Sequence, residues 1–127
     1  MGTWGSGNLH SDGALDNVAT RSDALVKEIW AALCDLSSAE ADECEHDALF
    51  VAIEWVFALE AAGCFSGWNL PSAADLDAAT APWLARWSDY FDGLSGPEFK
   101  AERRAVIAES FARLRDLCAR YEAQRSR

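Results

Sequence analysis

Residues 47–63, Asp-Ala-Leu-Phe-Val-Ala-Ile-Glu-Trp-Val-Phe-Ala-Leu-Glu-Ala-Ala-Gly, constrain the fold more than any other stretch. The run is too long for one strand, contains no Pro and ends in Gly, a usual residue just past a helix end. A helix is expected from about Asp42 to Ala62. At about 100° per residue, Trp55, Val51, Leu59, Ala48, Ala52 and Ala62 share one broad face, and Leu49, Ile53 and Val56 fill its flank. Only a narrow stripe with Glu43, Asp47 and Glu54 reads as wet. A helix apolar around most of its girth is enclosed by others, so this one is expected at the centre of a bundle.

Apolar residues make up 50% of the 127, enough for one domain with a real core and too many for a disordered chain. Ala is abundant and strand-like alternation is absent, which favours an all-α fold. No apolar run approaches the ~20 residues of a membrane span. The first residues lack the basic and hydrophobic segments of a signal peptide, so a cytoplasmic setting is expected. In that setting the scattered Cys34, Cys44, Cys64 and Cys118 read as small buried apolar residues, not disulfides or zinc ligands.

The net charge of −10 is unevenly spread. Before Glu98, sixteen acids face only Arg21, Lys27 and Arg86, a balance of −13; from Glu98 onward five acids face eight bases, +3. Phosphate contacts need a positive footprint, so the acidic body disfavours nucleic acid. The basic last segment is expected to fold back on the body or to meet an acidic partner.

Residues 1–10 form a Gly-rich arm carrying Trp4, expected to be pinned between helices, with an anion-binding nest as the sharper alternative. Ser11 or Asp12 can cap a first helix whose apolar stripe runs through Leu15, Val18, Leu25, Ile29, Leu33 and Leu36 and stops before Ser37. Ser72 can cap a short helix through Ala79, with a restart at Thr80-Ala81-Pro82 and an aromatic third helix containing Trp83, Trp87 and Phe91. Ser95-Gly96-Pro97-Glu98 has the form of a capping box. The helix it opens, with Phe99, Val106, Ile107, Phe111, Leu114, Leu117, Cys118 and Tyr121, is expected to end near Tyr121 or Glu122, leaving residues 123–127 frayed. The result is a single-domain bundle of four main helices over residues 1–127.

Catalytic patterns are sparse. Neither His10 nor His46 sits in a nucleophile motif, and Glu43/His46 is half of a two-metal carboxylate motif whose second copy is missing. No metal or other cofactor is therefore expected. Glu54, inside the most apolar helix, is expected under the last helix and paired with Arg103 or Arg104.

The opening Met1-Gly2-Thr3-Trp4-Gly5-Ser6-Gly7, followed by Asp12-Gly13-Ala14-Leu15-Asp16, resembles the bacterial family domain of unknown function 4259, whose members begin Met-Gly-x-Trp-Gly-x-Gly and then carry Asp-x-Ala-x-Asp at a helix start. The resemblance implies a small cytoplasmic helical protein of uncharacterised function and supplies no catalytic residues to carry over. The expected function is protein binding, immunity- or antitoxin-like or regulatory, toward a partner that an acidic body would favour as basic. The alternative is a small-molecule or metal-dependent enzyme built around the N-terminal glycine arm with Asp12, Asp16 and Glu54. Candidate site residues are Trp4, Asp12, Asp16 and Glu54.

Overall fold

Four helices carry the chain: α1 over Asp12–Cys34, α2 over Cys44–Ala61, α3 over Ala73–Tyr90 and α4 over Pro97–Arg125, with a 3₁₀ turn at Leu36–Ala39. The computed structural model describes residue 3 and residues 5–40, 44–91 and 96–126, and omits the side chains at 44 and 45. The all-α, four-helix expectation holds.

The ends of the helices follow local chemistry. Ser11 Oγ accepts from the Ala14 amide at 3.1 Å and starts α1. Ser72 Oγ accepts from the Asp75 amide at 3.0 Å and starts α3. At the end of α2, the Gly63 amide donates to Glu60 and the Cys64 amide to Leu59, the paired bonds of a Schellman ending. Gly63 holds φ +75°, which a Cβ would oppose.

Side-chain pairs fix the helix directions. Lys100 reaches Ser88, Phe111 meets Trp83, Arg115 pairs with Asp77 and Glu122 accepts from the Ala73 amide, so α3 and α4 run antiparallel. Arg103 lies over Phe50, Arg113 over Phe57, and Arg120 pairs with Glu60, so α4 runs parallel to α2. Helices α2 and α3 face each other through the core, where Phe50 meets Trp83 at 5.6 Å. Their connection therefore lies across one end of the bundle, its Phe65 and Leu70 buried as a plug. The last turns of α4 hold it: Tyr121 donates to the Phe65 carbonyl, and Arg125 to those of Trp68 and Leu70. Gly67 sits under the Tyr121 ring, where an added Cβ would come within 2.8 Å.

Several expectations need correction. Helix α3 does not break at Thr80. Leu76, Thr80, Trp83 and Trp87 form one buried stripe across that point, and Pro82 sits on the wet side of an uninterrupted helix. Packing of the stripe outweighs the one hydrogen bond that Pro removes. Helix α4 is capped at Gly96, one residue later than a Ser95 box requires, and Ser95 lies outside the described residues. Residues 123–125 are helical rather than frayed, because Arg125 is tied to the crossing loop. Val106 and Phe99, expected in the α4 stripe, are exposed. Cys34 is exposed, while the buried Cys118 has its thiol pushed up to about 11 by desolvation.

The largest correction concerns α2. Leu49, Ala52, Ile53 and Val56 face the core, whereas Val51 and Trp55 are 50% and 61% exposed. The helix is an outer wall of the bundle, not its centre.

Candidate functional site

A groove of about 480 Å³ runs between α1 and α2, lined by Val18, Arg21, Leu25 and Glu28 on one side and Trp55 and Leu59 on the other. Its apolar floor follows from two stripes. Val18 and Leu25 lie seven apart on α1, toward the partner helix, and Trp55 and Leu59 form an i,i+4 pair on α2. The Trp55 ring is the largest exposed apolar group on α2. Beyond it, Asp47, Phe50, Val51 and Glu54 line an open depression along the outer side of α2.

Glu54 lies on the rim of this surface. The predicted pairing with Arg103 or Arg104 is absent: Glu54 is exposed, Arg103 stacks its guanidinium 4.8 Å from the Phe50 ring, and Arg104 Nε donates to Ser88 Oγ at 3.3 Å. The reason is angular. Helix α4 rests on Phe50 and Phe57, seven residues apart, and Glu54 projects about 40° outward from Phe50 toward water.

Asp12 and Asp16 are exposed on the first turns of α1. Asp12 stands where a carboxylate complements the positive helix end. Trp4 lies outside the described residues. The described part of the arm is a closed turn. Thr3 bridges to Ser11, the His10 amide donates to the Gly7 carbonyl, and the Gly7 amide donates to His10 Nδ1 at 3.0 Å. That last bond occupies one of the arm's backbone amides.

Histidine 46 is part of the core. It stacks on Trp83 at 5.8 Å, tilts against Phe50 and is 8% exposed. Burial lowers its pKa, opposed by the neighbouring Asp47 carboxylate and aided by the positive charge of Arg103. Its Nε2 has no hydrogen-bond partner among the described residues. Glu43, the other half of the metal motif, lies outside them. Among the described residues no three His, Cys, Asp or Glu side chains converge on a point that could hold a metal. None of their helices is long and apolar enough to cross a membrane.

Sequence reasoning missed the groove, although its signal was present. Trp55, Val51, Leu59, Ala48, Ala52 and Ala62 were legible as one face; what periodicity could not supply was the side of α2 that meets the core. Of the four candidates, the structure places Glu54 beside the groove and Asp12 and Asp16 on α1's opening turns, and it gathers no catalytic set from them. The chain matches no protein-family model, no curated protein and no solved structure.

Proposed function

We propose that this chain is a small acidic cytoplasmic protein-binding module that takes its partner on the α1/α2 groove. One observation carries the reading: Trp55, a side chain that typically anchors interfaces, stands 61% exposed in an apolar groove on a folded wall. Leaving an indole in water forgoes roughly 2 kcal/mol of burial that a partner can recover. The −13 balance before Glu98 supports a basic partner, and an immunity- or antitoxin-like role is the concrete form of the proposal. The Met1–Asp16 phrases make membership of domain of unknown function 4259, and a bacterial origin, part of the same proposal.

The test is a photo-crosslinking amino acid placed at Ala58, beside Trp55, with Ala123 on α4 as the control position. One dominant adduct specific to Ala58 is expected in the native host. The captured protein, once purified, should bind the wild type and not Trp55→Ala, and co-expression should suppress its toxicity if the role is antitoxin-like. No adduct specific to Ala58, or a purified partner that binds Trp55→Ala equally well, overturns the proposal.

A further inference from the structure

The outer face of α2 carries a heptad seam that the described residues leave largely open. Ala48, Val51, Trp55 and Ala58 recur at steps of three and four, Ala62 continues the series in the turn that closes α2, and all five are exposed. The two flanks of this seam differ. On the α1 side stand Ala52 and Leu59, drawn into the bundle. On the other side stand Asp47 and Glu54, seven residues apart and both exposed, so they occupy the same position in successive heptads.

We propose that the seam receives an α-helix of a partner protein, one that lays an apolar stripe along Ala48–Ala62 and presents Lys or Arg to Asp47 and Glu54. The proposal rests on the reading of this protein as a binding module and specifies what the module takes. The steric argument comes from residue size. Alanines at 48, 58 and 62 let a helix approach closely, and Trp55 is one large knob among them. The incoming stripe therefore needs large aliphatic side chains opposite the alanines and a small residue opposite Trp55. Fourteen steps of helix rise give a seam of ~21 Å, about four turns.

Charge selects among occupants. In an antiparallel pairing of two copies, equivalent flanks meet, so Asp47 and Glu54 would face the same carboxylates of the other copy. In a parallel pairing they would face Ala52 and Leu59 and gain no counter-charge. Two bodies each carrying −10 add a longer-range repulsion. A basic flank supplies what both arrangements lack. On the α1 edge, Arg21 and Glu28 are of opposite sign and impose no preference.

Three synthetic helical peptides test this. They share one apolar stripe and carry Lys/Arg, Gln or Glu at the flank positions. Their affinities are measured by titration calorimetry against the wild type, Trp55→Ala and the double variant Asp47→Lys/Glu54→Lys, each verified as folded by circular dichroism. The Lys/Arg peptide is expected to bind the wild type at least ~10-fold more tightly than the Glu peptide, through charge pairs that salt weakens. The order should reverse in the double variant, and binding should be lost in Trp55→Ala. Equal affinities, no binding by any peptide, binding that survives Trp55→Ala, or a dimer of the free protein that Trp55→Ala dissociates would each overturn the proposal. An Ala58-specific crosslinked partner alongside failed peptides removes this occupant alone and leaves the binding module standing.

Discussion

Two tryptophans of the same size have opposite roles here. Trp83 is fully buried, and its indole N–H donates at 2.9 Å to Ser38 Oγ, whose own hydrogen goes to the Ala32 carbonyl at 2.6 Å. Trp83→Ala should cost about 3–5 kcal/mol in denaturant unfolding, whereas Trp55→Ala should cost less than about 1 kcal/mol because Trp55 is mostly in water. Ser38→Ala should cost about 1–3 kcal/mol, since it strands the buried indole N–H. His46 adds a pH dependence. Its folded pKa lies below 6.5, so the unfolded chain binds more protons as the pH falls through that value. Stability should therefore hold above pH 6.5, decline below it, and level off once the folded-state pKa is passed. Urea midpoints across this range should show the slope, and His46→Phe should reduce it. An unchanged slope in His46→Phe would assign the acid sensitivity to other groups.

At the scale of the helix, the caps of α1, α2 and α3 were legible and packing direction was not. Ser11, Ser72 and Gly63 stand where their side chains or φ require, because a cap depends on neighbours three or four residues away. Helix α2 carries apolar residues on nearly every side, so its pattern holds no record of which side is inward. That choice is made by the rest of the bundle, which buries Leu49, Ile53 and Val56 and leaves the Trp55 side open. The candidate site went unrecognised for the same reason: a docking face made of Ala, Val and Trp looks like core until its neighbours are placed. Pro82 was misread as a boundary, since local propensity cannot weigh a buried stripe that spans it. Pro82→Ala is accordingly expected to raise stability by about 1–3 kcal/mol, with α3 intact, as Ala restores an amide to an exposed helix interior. Thermal melts of the two proteins check this; a lower melting temperature would show that the proline ring contributes packing.

Across the whole molecule, the basic α4 docks on the acidic body mainly through apolar contact. Ile107, Phe111, Leu114 and Leu117 are buried, while the guanidiniums of Arg103 and Arg113 cover Phe50 and Phe57. Arg125 donates to the carbonyls of Trp68 and Leu70, so it ties the crossing loop to the end of α4. Amide hydrogen exchange in residues 64–70 should quicken in Arg125→Ala while the centre of the bundle keeps its protection; unchanged rates there would make those bonds incidental. The crossing loop also sets an order of assembly. Its plug residues leave the ribosome more than fifty positions ahead of the Tyr121 and Arg125 side chains that brace them. A nascent chain can thus pair α1 with α2 early, yet that end of the bundle stays unlatched until the closing turns of α4 emerge. During that interval Phe65 and Leu70 are the side chains a chaperone would meet.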